Sequence, residues 1–275
     1  MTQSINPTFT FRDGRTVNRL GFGTMRLTGQ PGNFGSYKNW NEGLAVIRAA
    51  REAGVQLFDT ARAYGPGHAE RLLGEAIPAS DQDAFIVTKG GVTKTGVGPG
   101  HIRSDARPEQ LAREMEASLK DLNRDMIDLY FLHRPDPNVA FEDQIGALMT
   151  ARDQGKIARI GLSNVTLKQL QAAMSMTQID AVQNRYDPVN GGDESVLQHA
   201  TTHDLAFLPW GPLGANPMVP GSPLDRPSQG RGPSAIQSAL VGLLAKSPNM
   251  IPIPGTTKVA HARDNARALD LAMAD

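Results

Sequence analysis

The chain has 275 residues, with 28 Lys+Arg against 28 Asp+Glu and no cysteine. Balanced charge excludes a nucleic-acid or membrane partner recruited by net charge. Absent cysteines exclude disulfides and thiolate metal sites, and fit a reducing compartment. No apolar run reaches membrane-spanning length, and the opening MTQSINPTFTFRDGRT lacks a basic, apolar, small-residue export pattern. The expectation is a cytoplasmic protein of one domain, residues 1–275, monomeric or weakly homo-oligomeric, with no nucleic-acid or membrane partner.

Residues 8–18 alternate around Asp13-Gly14, a favoured hairpin pair, and predict a hairpin ahead of the main fold. Strand-like and helix-like segments then take turns. The apolar strand candidates are 18–23, 55–60, 84–89, 126–132, 158–162, 180–184, 205–210 and 250–253. The helix candidates are 41–53, 67–77, 107–121, 141–155, 166–175, 193–203, 234–246 and 258–273. Gly54 and Gly155 stand where C-cap glycines belong. Eight strands alternating with eight helices predict an α/β fold, a closed (β/α)8 TIM barrel with an N-terminal β-hairpin. A doubly wound sheet would also alternate, but no Gly-x-Gly-x-x-Gly follows the first strand. Gly21-Phe22-Gly23-Thr24 is only a partial likeness. Three irregular stretches, 25–40, 90–106 and 211–233, follow strands one, three and seven. They are expected to form substrate walls on the catalytic face, with Trp40, Arg103 and Met218 as contacts.

Three strands end on titratable groups. VQLFD ends on Asp59, AFIVTK on Lys89 and MIDLYFLH on His133, and Tyr64 follows Asp59 in the loop. Reducing a carbonyl needs a proton donor near the oxygen that exchanges near neutral pH. A free tyrosine titrates near pH 10, and a neighbouring cation lowers that value. Lys89 could be that cation, held charged by Asp59, while His133 donates a hydrogen bond to the oxygen as charge builds. No metal is required. Taken singly, each residue has a plainer use. Asp59 could cap a turn, Tyr64 could be a loop aromatic and His133 a satisfied half-buried histidine. Lys89 could be a solvated strand end or a Schiff-base lysine.

The other strand ends titrate little. They read IGLSN, VQNRY, FLPWGPLG and IPIPGTT. Ser163, Asn164 and Gln183 offer hydroxyl and amide groups suited to a carboxamide, and Trp210 offers a flat face for an aromatic ring. Gly255-Thr256-Thr257-Lys258 supplies backbone donors, hydroxyls and a cation at a helix N-terminus, which favours phosphate. Alternatively, Ser163 or Asn164 could cap the next helix, and Trp210 could pack in the core.

With these residues in view, the chain resembles the aldo-keto reductases over nearly its whole length. TKGGVTKTG, LHRPDP, VQNRY and FLPWGPL look most like the pyridoxal reductase/pyridoxine dehydrogenase branch. The resemblance implies a barrel capped at its bottom by the hairpin, and NADP(H) bound in extended form, with NAD(H) as an alternative. It implies Tyr64 as general acid, tuned by Lys89 and Asp59, with His133 orienting a small carbonyl or alcohol substrate. Carried over by position, Ser163, Asn164 and Gln183 grip the nicotinamide amide and Trp210 stacks on its ring. Thr24, Met25, Asp59, Gly211, Pro212 and Leu213 join the cofactor set. Thr256, Thr257 and Lys258 approach the ribose phosphate, and Asn265 the adenine. Gly255 and His261 stand where many members have Lys and Arg, which leaves Lys258, helped by Arg263, to pair with a 2′-phosphate. Two other readings remain open: a barrel lyase using Lys89 as a Schiff base, and a non-catalytic NADPH-sensing subunit.

Overall fold

The computed structural model describes residues 5–214, 224 and 233–274. Seven parallel strands follow one another around a single sheet: Phe22–Gly23, Leu57–Asp59, Phe85–Gly90, Leu129–Leu132, Ile160–Ser163, Ala181–Gln183 and Ala206–Phe207. Residues 249–254 close the ring. Phe207 N donates to Asn249 O at 2.8 Å and Ile251 N to Phe207 O at 2.8 Å. On the other side Gly21 N donates to Pro252 O at 2.9 Å and Gly23 N to Pro254 O at 3.2 Å. This eighth segment was expected as a strand and takes that place without a full ladder. Its prolines have no N–H, so toward strand one it can only accept.

Alternation along the strands sorts two cores. Leu57, Phe85, Val87, Leu129 and Phe131 point into the barrel, where they meet Ala181, Ala206, Ile251 and Ile253. Phe58, Ile86, Tyr130 and Leu132 point out into the layer beneath the helices. Each of the fully buried large apolar chains contributes about 1.5–3 kcal/mol. Gly161 makes room for the interior packing, since a Cβ there would lie 2.4 Å from the Phe131 ring. The expected hairpin is present, Thr8–Thr10 against Thr16–Asn18. Its Phe9, Phe11 and Val17 plug the barrel interior, and Phe11 stacks on Phe85 with centroids 4.9 Å apart.

Three of the described helices begin on side-chain caps, Thr166, Asp193 and Ser234. Thr166 with Gln169 and Ser234 with Gln237 form capping boxes for Leu167–Met176 and Ala235–Lys246. The expected last helix divides into Val259–Ala266 and Ala268–Ala274. The reason is packing. Ala262 and Ala266 join the main outer core, whereas Ala268, Leu269 and Ala272 join a separate cluster with Leu20, Leu240 and Leu244. Buried Arg19 staples this end. It donates to the carbonyls of Asn6, Met250, Leu244 and Ser247, and burial lowers its pKa to about 10.

Two hairpins ornament the strand C-termini. Residues 90–106, expected to be irregular, pair Val92–Lys94 with Ile102–Ser104. A smaller pair, Tyr186–Asp187 with Gly191–Gly192, follows strand six.

Candidate active site

The alternation that fills the barrel also delivers the titratable groups. Leu57 points in, so Asp59 does too; Phe85 and Val87 lead to Lys89, and Leu129 and Phe131 lead to His133. All three reach the C-terminal end of the barrel on strands two, three and four.

Lys89 is fully buried and Asp59 nearly so. Lys89 Nζ donates to Asp59 Oδ2 at 2.8 Å and to Thr60 O at 2.6 Å. The other carboxylate oxygen of Asp59, Oδ1, accepts from Gln183 Nε2 at 2.8 Å. Asp59 is therefore an ion-pair partner and not a turn cap. Lys89 Nζ stands 5.1 Å from the Tyr64 ring centroid. The Tyr64 and His133 rings meet edge to face with centroids 6.0 Å apart.

The loop bearing Tyr64 is held from behind. Arg62 N donates to Lys89 O at 2.9 Å, and Arg62 Nη1 reaches Glu70 Oε2 at 2.7 Å and Asp121 Oδ2 at 2.6 Å. Thr88, which alternation turns outward, donates to the same buried Glu70 at 2.7 Å.

Burial pulls the Lys89 pKa down, but Asp59 and Tyr64 outweigh it, so the ammonium is held above its ordinary value. Burial drives His133 well below the ordinary imidazole value, aided by Lys89 and Arg134, so it is neutral at neutral pH. Tyr64 departs from expectation. Lys89 pulls its pKa down, yet burial, helped by Asp59, prevails and raises it above 10. Tyr64 is thus a protonated phenol at neutral pH.

These groups open onto a cavity of about 1140 Å³, large enough for a dinucleotide with a small molecule beside it. Asp59, Tyr64 and His133 line it on one side, and Ser163, Asn164, Gln183 and Trp210 on another. Gly211, Pro212, Leu213, Gly255, Thr256, Thr257, Lys258, His261 and Asn265 continue the wall, as does Met25. Lys89 lies behind Asp59 and Tyr64 and does not line the cavity. Thr24 is another departure. It is buried and braces strand two, its amide and hydroxyl both donating to Asp59 O.

The second half is wired internally. The cap of the next helix is Thr166, so Ser163 and Asn164 are not caps. Asn164, with φ of 56°, donates from Nδ2 to His133 O and to Ser163 Oγ, both at 3.0 Å. Its Oδ1 accepts from Trp210 Nε1 at 3.1 Å. Asn164 therefore couples three site residues, and much of its bonding capacity is already used. Ser163 and Gln183 line the cavity, and the Ser163 hydroxyl proton and Gln183 Oε1 have no partner among the described residues. Trp210 is 38% exposed and is a wall, not core. Lys258 directly precedes the helix Val259–Ala266 and makes no ion pair with a described residue. Arg263 pairs instead with Glu52 at 3.2 Å and does not line the cavity.

The expected substrate walls contribute unequally. Trp40 donates to Glu75 Oε2 at 2.8 Å, and neither it nor Arg103 lines the cavity. Met218 lies outside the described residues. The hairpin after strand three stays off the cavity but ties the first loop down: Lys94 Nζ donates to the carbonyls of Gly32 and Asn33. The Asn33 carbonyl also accepts from Gly65 N, beside Tyr64. Three arginines not singled out in the sequence, Arg26, Arg134 and Arg185, line the cavity. Their signal was available, since each follows a site residue closely at a strand end.

A sequence profile described as the aldo/keto reductase family matches residues 19–232. The chain belongs to the aldo/keto reductase family. It is 37% identical over 253 residues to an oxidoreductase of Schizosaccharomyces pombe described as uncharacterized, covering 92% of this chain and 81% of that one. It is 34% identical over 269 residues to a pyridoxine 4-dehydrogenase of Escherichia coli, covering 95% and 92%. Among solved structures, an aldo-keto reductase from Klebsiella pneumoniae in complex with NADPH superposes with a TM-score of 0.80 at 25% identity, covering 97% of this chain and 90% of that one.

Proposed function

We propose that this chain is an NADP(H)-dependent oxidoreductase that interconverts a small carbonyl and its alcohol, with Tyr64 as the acid and base. The observation that carries the reading is the cluster at the cavity floor: a protonated Tyr64 between charged Lys89 and neutral His133. The donor set of the second half fits a dinucleotide. Ser163 O–H and Gln183 Oε1 complement a carboxamide, and Trp210 presents a ring face. Thr256, Thr257 and Lys258 at a helix N-terminus suit an anionic ribose phosphate. A structure of a relative bound to NADPH supports the same assignment. When bound, the nicotinamide supplies or accepts the hydride.

The side chains do the rest. Neutral His133 donates a hydrogen bond that orients the carbonyl oxygen and steadies the charge growing on it. Tyr64 gives its proton to that oxygen. Lys89 stabilises the phenolate left behind, and Asp59 keeps Lys89 charged and in place. Gln183, bonded to Asp59, links the proton-handling half to the carboxamide grip. Running in the direction of alcohol oxidation, the site needs tyrosinate. Because burial raises Tyr64 above 10, alcohol oxidation rises with pH toward that range, while reduction proceeds at neutral pH.

The Schiff-base reading fares worse on geometry. It needs a neutral, accessible lysine, whereas Lys89 is charged, doubly bonded and walled off from the cavity. The decisive experiment is titration with NADPH followed by an aldehyde panel. Quenching of Trp210 fluorescence and aldehyde-dependent NADPH consumption are expected. No quenching, no heat of binding and no turnover would contradict the proposal.

A further inference from the structure

Six Asp, Arg and Lys side chains line the cavity: Asp59, Asp264, Arg26, Arg134, Arg185 and Lys258. Asp59 is neutralised by Lys89. Arg185 faces Asp187 at 3.5 Å. Lys258 stands at the phosphate-suited helix N-terminus. Asp264 lies on the helix that follows Lys258, Arg26 follows strand one, and Arg134 follows strand four. Arg134 is exposed, it lines the cavity, and its guanidinium makes no hydrogen bond or ion pair with a described residue. It directly follows His133, so their Cα atoms are about 3.8 Å apart.

Its position round the ring separates it from the phosphate cradle. Strand four, which it follows, is four places from the eighth segment in a ring of eight, and so stands across the mouth from Gly255–Lys258. Between them lie the carboxamide-suited groups of strands five and six, and Trp210. Arg134 is therefore beyond the reacting carbonyl and not along the dinucleotide path.

We infer that the substrate is a carbonyl compound bearing an oxyanion, and that Arg134 holds that group. A guanidinium presents paired N–H donors that match a carboxylate or a phosphate in bidentate fashion. Because Arg134 directly follows His133, the probes place the oxyanion one aromatic ring or a three-carbon chain from the carbonyl. This inference rests on the carbonyl-reductase reading.

The test compares matched aldehydes with NADPH: 4-carboxybenzaldehyde against 4-methylbenzaldehyde, and glyceraldehyde 3-phosphate against glyceraldehyde. The native protein should favour the anionic member of at least one pair by about tenfold or more in kcat/KM, the scale of one charge-assisted hydrogen bond. The first pair reports a carboxylate preference and the second a phosphate preference. Arg134→Met should remove the preference chiefly through KM, Arg134→Lys should keep part of it, and added salt should weaken it. Neutral members used as well as anionic ones by the native protein would overturn the inference, as would a preference that survives Arg134→Met. Absence of NADPH consumption with all four aldehydes would fail the underlying reductase reading instead, and the inference with it.

Discussion

The two halves of the barrel mouth are built on opposite electrical principles. On strands two to four the functional groups are ionisable and packed together: buried Lys89 bonded to buried Asp59, with half-buried Tyr64 and His133 against them. On strands five to eight they are mainly neutral amides, hydroxyls and an indole, with the charged Arg185 and Lys258 exposed. In the proposed mechanism the first half holds a proton at a chosen atom, which needs charges whose neighbours are fixed. The second half needs only to recognise, and neutral donors recognise without a large desolvation penalty. Substitutions in the two halves should therefore fail differently.

The largest separation is expected from Lys89→Met. It removes the cation beside Tyr64 and strands a buried carboxylate at Asp59. Rates should fall at least about a hundredfold. Breaking a buried pair from one side costs about 3–5 kcal/mol, so denaturant unfolding should show lost stability as well. Across the mouth, Lys258→Ala should do neither. It should weaken NADPH about tenfold while sparing NADH, the cost of one exposed phosphate contact. Equal losses for both nucleotides by calorimetry would place the 2′-phosphate elsewhere.

A smaller effect sharpens the same contrast through pH. The His133 pKa is well below its unfolded value of about 6.5. Below that value the unfolded chain binds a proton that the folded one refuses, so stability falls as the medium is acidified through 6.5. The loss reaches up to about 1.4 kcal/mol at pH 5.5. Glu70 and Glu114, whose pKa values burial raises, act in the opposite sense at lower pH. Comparing native protein with His133→Asn isolates the histidine. The native advantage should shrink between pH 7 and 5.5, and a constant difference would mean that His133 is not held neutral by the fold.

Much of this was legible in the sequence because strand alternation is a local rule. Asp59, Lys89 and His133 each sit an even number of residues from an interior apolar neighbour, so one pattern predicts both packing and site. The barrel order and the hairpin itself followed from alternation patterns, and the hairpin's place at the barrel bottom from the family resemblance. What escaped depended on distant partners. Arg263 was expected at the phosphate, but Glu52, 211 residues away, takes it. Asn164 read as a free amide, yet it already joins Ser163, His133 and Trp210. The pairing of Val92–Lys94 with Ile102–Ser104 was hidden by the glycines between them. The Tyr64 balance needed the depth of burial, which no spacing reports, and burial outweighs the lysine. Residues 215–223 and 225–232, expected as part of a substrate wall, lie outside the described residues.

The central claim is that Tyr64 transfers the proton, and a single-turnover measurement with Tyr64→Phe tests it most directly. The variant keeps the ring between Lys89 and His133 and removes only the hydroxyl. With NADPH prebound and aldehyde in excess, the hydride-transfer step should slow by about a hundred- to ten-thousandfold, with NADPH affinity unchanged. A folded, NADPH-binding Tyr64→Phe protein that transfers hydride near the native rate would contradict the account.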